Sequence, residues 1–124
     1  EYSDVVVEDL GCWSDTRNRA IQPIEGKHPL LKDSYNSRID AYDKCLKATL
    51  SFGYKVFALQ AGGWCASASD AEDTYNKYGR SYGCGADGEG GSGANQVYKI
   101  KVIYIGESKS KSWGNSEFKT KFKT

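Results

Sequence analysis

Between Gln60 and Asn95 the chain gathers flat rings and planar polar groups: Trp64, Tyr75, Tyr78 and Tyr82, with Gln60, Arg80, Asp87, Glu89 and Asn95. That mixture suits sugar recognition. A pyranose offers an apolar C–H face to an aromatic ring and a rim of hydroxyls to planar donors and acceptors. Rigid aromatics supply that contact area at low entropic cost. Covalent chemistry has less to work with. The single histidine, His28, stands in "KHPLL", where an exposed loop imidazole is expected rather than a catalytic base. Four cysteines joined as disulfides leave no thiolate. With sixteen carboxylates, some pair must lie close by chance, so a close pair signals nothing. The expectation is a binding protein with no catalytic residue, not an enzyme.

Metal chemistry is also thinly supported. The cysteines are widely spaced and form no C-x-x-C knuckle, which argues against zinc. "SDAED" and "ADGEGG" put hard oxygen ligands on flexible backbone, as calcium requires, but match no complete EF-hand loop. No cofactor and no resident metal are expected; calcium is the alternative.

The bulk numbers bound the class. At 124 residues the chain can build one modest core. A net charge of +1 gives no reason to expect nucleic acid. No run approaches the roughly 18 apolar residues of a membrane span, so no membrane insertion is expected. Four cysteines in a short chain fit two disulfides and an oxidising compartment. The chain starts at Glu1 and contains no methionine, as a mature chain would after removal of an N-terminal segment. The expectation is a secreted, extracellular protein. Its two ends differ in sign: Glu1, Asp4, Glu8, Asp9 and Asp15 at the start, Lys109, Lys111, Lys119, Lys121 and Lys123 near the finish. Solvated surface is the plain reading, and pairing of the two ends the sharper one.

These groups need elements to hold them. "NSRIDAYDKCLKATLSFG" reads as a helix, with Ser37 as N-cap, Asp40 completing an imperfect capping box, and Gly53 at the C-terminal end. Ile39, Tyr42, Leu46 and Leu50 recur at helical spacing, beside Ala41, Cys45 and Ala48. "YKVFALQ" is a buried strand. The six glycines of "GCGADGEGGSGAN" make a loop. In "QVYKIKVIYI", Tyr98, Ile100, Val102 and Tyr104 alternate with Lys99 and Lys101. A turn at "WGN" would close a C-terminal β-hairpin in which Phe118 and Phe122 are flanked by lysines. The expected fold is α+β: one main helix on a mostly antiparallel sheet.

In that order, the motifs resemble the WSC domain family. "GCWSDT" with "NRAI", then "KCLKATLSFGYKVFALQAGGWCAS", then "GGSGANQVYKI" carry the resemblance, which covers residues 11 to 100; 101 to 124 would be a C-terminal extension of the single domain. The resemblance implies a small extracellular module related in outline to PAN/apple folds and generally regarded as carbohydrate-binding. The family usually has eight cysteines and this chain has four. Thr49 and Ser67 stand where two of the missing ones would be. Sequence alone permits three pairings. Their joint loss, read through the resemblance, implies Cys45 with Cys65 and Cys12 with Cys84.

The sugar site is expected where the Gly-Gly-Trp-Cys turn meets the loop from Tyr82 to Asn95. Trp64 would stack, and Gln60, Tyr82, Arg80, Asp87, Glu89 and Asn95 would contact hydroxyls of glycans or glycoproteins. Trp13 is expected in the core, and Trp113 exposed as a second contact. The leading expectation is a lectin. The alternative is a structural or adhesive protein-interaction module without sugar specificity. The hairpin's apolar face would cover this domain's own sheet or that of a second copy, the latter giving a homodimer.

Overall fold

The structure is a computed structural model that describes residues 3–105. The expected C-terminal hairpin, with Trp113, Phe118 and Phe122, lies outside the described residues. The elements are β1 (Ser3–Ser14), α1 (Ala41–Ser51), β2 (Val56–Gln60), β3 (Trp64–Ser67), a single-turn helix α2 (Ala71–Thr74) and β4 (Ala94–Ile105). The fold is the expected α+β, with two disulfides, Cys12–Cys84 and Cys45–Cys65.

Helix α1 starts later than its periodicity suggests. Ser37 belongs to a short 3-10 turn, Tyr35–Ser37, and Asp40 takes the N-cap position in the left-handed region (φ 57°) without a side-chain cap bond. The C-terminal end is as expected. Gly53 has φ 76°, its N–H donates to Leu50 O (3.0 Å), and Tyr54 N–H donates to Thr49 O (3.1 Å), the double bond of a glycine-terminated helix. The buried face differs from the expected one. Ile39 lies before the helix and is 73% exposed, while Ala41, Cys45, Ala48 and Thr49 are buried. The cause is close approach. The Cys45–Cys65 bridge holds the two Cα atoms 5.6 Å apart, so only small side chains fit between helix and sheet.

The sheet order is β1-β4-β2-β3, and β2 runs antiparallel to both neighbours. Every residue of β2 is buried because this central strand is covered on both faces. Phe57 and Leu59 share the helix face: Phe57 pairs with Tyr98 and lies 5.6 Å from the Tyr42 ring, and Leu59 pairs with Cys65. Val56 and Ala58 face the other way, against Val97, Ala66, Ile21 and Ala71 of α2. Trp13, Trp64 and Tyr75 pack around that second cluster. The long loop after β1 guards the β3 edge: Ser67 N–H donates to Gln22 O and Ile24 N–H to Cys65 O.

By compactness the described chain divides into Asp9–Lys99 and a second unit of 3–8 with 100–105. In the second unit Lys101 lies 3.6 Å from Glu8. No helix among the described residues is long and apolar enough to cross a membrane.

Candidate functional site

The Gly-Gly-Trp-Cys turn is a packed clamp. Ala61 (φ 53°) and Gly62 (φ 99°) reverse the chain, and Gln60 pairs with Trp64 across the turn. A Cβ on Gly63 would sit 2.6 Å from Tyr35 O and 3.3 Å from the Ala41 Cβ, so only glycine lets the turn seat against the start of α1. Beneath it lies Arg38, a residue the sequence did not single out. Its fully buried side chain makes a fork-to-fork pair with Glu25 (2.7 and 2.9 Å), bonds Asp33 (2.8 Å) and donates to Gly63 O (2.7 Å). Glu25 also accepts from Cys65 N–H (2.8 Å). The hydrogen bond to Glu25 raises the Arg38 pKa, and the Arg38 guanidinium lowers that of Asp33. The other side of the turn meets the glycine loop, as expected: Ala61 N–H donates to Gly91 O and Gly62 N–H to Glu89 O.

Three of the seven expected contact residues end at one buried polar cluster. The Arg19 guanidinium lies 4.6 Å from the centre of the Trp64 ring and pairs with Asp15 (3.0 Å), whose side chain is fully buried. Asp15 also accepts from Ala20 N–H (2.9 Å) and from Gln60 Nε2 (2.9 Å). Gln60 donates its second amide hydrogen to Asn95 Oδ1 (2.8 Å) and accepts from Gly93 N–H (3.1 Å). Its amide orientation is therefore fixed, since its nitrogen must face the carboxylate and its oxygen the Gly93 N–H. Asn95 must then present oxygen to Gln60, which leaves its Nδ2 buried without a partner in the structure. Gln60 and Asn95 are 7% and 0% exposed, so both are committed to holding β2, β4 and the loop together.

Asp87 and Glu89 stand in the glycine loop. Asp87 accepts from Glu89 N–H (3.0 Å), which tightens the turn, and partial burial followed by the Asp87 charge raises the Glu89 pKa. The same loop is pinned by Tyr98, whose hydroxyl donates to Gly88 O (2.7 Å). Burial above all pushes the Tyr98 pKa up to about 12. Among the described residues no group of three or more histidine, cysteine or acidic side chains is placed to hold a metal ion.

The remaining two, Arg80 and Tyr82, come to a different surface. Arg80 bridges to Trp13, and its guanidinium lies 4.6 Å from the centre of the Trp13 ring. Trp13 is only half-buried. Its Nε1–H is held by Leu10 O (2.9 Å) and its ring meets Tyr75 edge-on at 5.2 Å. Gly11 (φ 100°) makes room, because a Cβ there would lie 3.2 Å from the Arg80 guanidinium. Ser81 N–H donates to Cys12 O and Ser14 N–H to Gly79 O, so the segment runs as a short extra strand against β1. The Cys12–Cys84 bridge ties down its far end. Tyr82, between Arg80 and that bridge, is 96% exposed.

No protein-family model matches this chain, and no curated protein does. Sequence reasoning left out Asp15, Arg19 and Arg38 as anchors. Asp15 and Arg19 were nevertheless visible inside "GCWSDT" and "NRAI", as a carboxylate and a guanidinium four residues apart.

Proposed function

We propose that this chain is an extracellular carbohydrate-binding module of the WSC-like kind, which holds glycans non-covalently and does no chemistry on them. The observation that carries this reading is the Trp13–Arg80–Tyr82 surface. It has an almost fully exposed ring two residues along from an arginine held on a half-buried tryptophan, in a segment tethered by a disulfide. A flat exposed ring has no packing role in this fold, and a fixed polar group beside it is what orients a sugar on such a ring. The two disulfides fit an oxidising compartment, in keeping with a protein that works outside the cell. Trp64, Gln60 and Asn95 act in this reading as the support that fixes β2, β4 and the glycine loop; Asp87 and Glu89 line the neighbouring loop.

A glycan array, followed by competition with the free saccharide that binds best, tests the proposal. A lectin binds a defined subset, and a defined saccharide displaces it. Tyr82→Ala should weaken that binding at least tenfold with little change in melting temperature, since the side chain contributes almost nothing to burial. Adhesion that no saccharide inhibits, and that salt abolishes, would instead establish the protein-interaction alternative.

A further inference from the structure

We infer that the ligand of the Trp13–Arg80–Tyr82 surface carries a carboxylate, so that this face selects a carboxylated pyranose such as a uronic or sialic acid over its neutral counterpart. The inference rests on the reading above and narrows it to a substrate class.

The chain has four arginines, and the structure uses them differently. Arg38 is fully buried among Glu25, Asp33 and Gly63 O. Arg19 lies on Trp64 but is paired with Asp15. Arg17 is exposed on the loop after β1. Arg80 alone combines a fixed position with free donors. It is seated over Trp13 in the space that Gly11 leaves open, and among the described residues its guanidinium makes no hydrogen bond and no ion pair.

A guanidinium has five N–H donors in a planar fork. Seated on a ring, it keeps its edge pointing to solvent and has already given up much of its rotamer freedom, so docking an acceptor costs less entropy than ordering a loose side chain. The acceptor that matches a planar fork is a planar pair of oxygens, and a carboxylate fits it through two parallel hydrogen bonds. One guanidinium suits one planar carboxylate, whereas a polysulfated chain gains by meeting several cations at once. Asp9, two positions before Gly11, gives its carboxylate to Gly11 N–H and the Gln96 side chain, not to Arg80. Tyr82, two residues along the same segment, is placed to take the sugar ring.

Matched probes separate this inference from the reading beneath it. Binding of the whole chain would be measured by calorimetry to trigalacturonate against its methyl ester, to sialyllactose against lactose, and to a sulfated galactan tetrasaccharide that carries no carboxylate. The expected result is at least tenfold tighter binding of one carboxylated probe than of its neutral partner. Arg80→Gln should abolish that preference, Arg80→Lys should retain part of it, and the melting temperature should stay within a few degrees in both. Equal affinity for both members of each pair would overturn the carboxylate while leaving the lectin reading intact. Tightest binding to the sulfated galactan would overturn it in favour of sulfate. A preference that survives in folded Arg80→Gln would overturn the site. No binding to any probe, with a blank glycan array, would sink both inference and reading; no binding to these probes with neutral hits on the array would sink the inference alone.

Discussion

Two tryptophans pack against the same apolar cluster on the second face of the sheet, and each has an arginine guanidinium 4.6 Å from its ring centre. Beyond that likeness they differ. Arg19 on Trp64 is held from behind by Asp15, whose buried carboxylate also takes the Ala20 N–H and the Gln60 amide. Arg80 on Trp13 has only the ring, with Gly11 leaving it space. In the first stack every strong donor of the buried neighbours but one, Asn95 Nδ2, has its acceptor, and the result is a joint between two strands and a loop. In the second, the guanidinium donors have no acceptor among the described residues. One ring–cation contact can therefore be structural or ligand-ready, and the charge behind the arginine decides which.

The largest expected effect lies in the tether of the second stack. Cys12 and Cys84 are 72 positions apart, and replacing both with serine should cost about 4 kcal/mol on the chain-entropy argument. The bridge between Cys45 and Cys65, 20 positions apart, should cost about 3 kcal/mol. Urea titration of the two double variants would rank them. The reverse order would mean that the buried Cys45–Cys65 contact to the helix outweighs loop length, and that the second stack stands without its tether.

The first stack comes next. Asp15→Ala strands Arg19, the Ala20 N–H and one Gln60 hydrogen at a buried position, and should lower stability by about 3 kcal/mol. Arg19→Gln should cost about 1 kcal/mol, because its side chain is 34% exposed and Asp15 keeps its other two partners. A double-mutant cycle isolates the pair itself. Near-zero coupling would show that Arg19, like Arg80, is held by its tryptophan alone, and the contrast between the stacks would vanish.

How much of this was legible beforehand follows from the range of each contact. Strand β2, the glycine end of the helix and the glycine loop are local patterns and stood where expected, although the helix begins at Ala41 and the last two residues of the expected loop, Ala94 and Asn95, belong to β4. The disulfide pairing came through the resemblance to a family with more cysteines. In the structure Thr49 and Ser67 are buried, with their hydroxyls given to Cys45 O and Val56 O. The helix face was misjudged at Ile39 because periodicity ranks large apolar residues first, whereas a disulfide at short range demands small ones. Arg38 escaped notice because its partners, Glu25, Asp33 and Gly63, come from three separate segments. The sequence grouped Gln60, Asn95 and Trp64 with Arg80, Tyr82, Asp87 and Glu89 as one sugar site, because no local feature distinguishes a polar cluster open to a ligand from one closed by Asp15.

Tyr98 calibrates the scale between the stacks, since its hydroxyl is a single neutral anchor on the glycine loop. Tyr98→Phe should cost about 1 kcal/mol. Its folded pKa of about 12 is above the ordinary 10, so the folded state holds the proton more tightly than the unfolded one. That contribution is complete below pH 10 and is lost as the pH climbs through 12. Ultraviolet titration should show one tyrosine that ionises last, missing in the variant. If its ionisation falls at the ordinary 10 instead, the loop is not pinned there.

The smallest expected change is also the one that most sharply separates the two tryptophans. Arg80→Gln removes a guanidinium that is exposed and has no acidic partner among the described residues, so the fold loses only the ring contact, roughly 0.5 kcal/mol. The matching Arg19→Gln should cost about twice that. Trp13, half-buried under Arg80, should become more accessible to acrylamide in the first variant, while Trp64, also half-buried, should change less in the second because Asp15 keeps its bonds to Ala20 and Gln60 beside it. A small stability loss with a clear gain in quenching would mean that Arg80 rests on its ring without bracing the fold and remains free to be lifted or bridged by a ligand. A loss of 2 kcal/mol or more in Arg80→Gln would reverse the assignment: the second stack would then be a joint like the first, and Tyr82 alone would remain to meet a sugar.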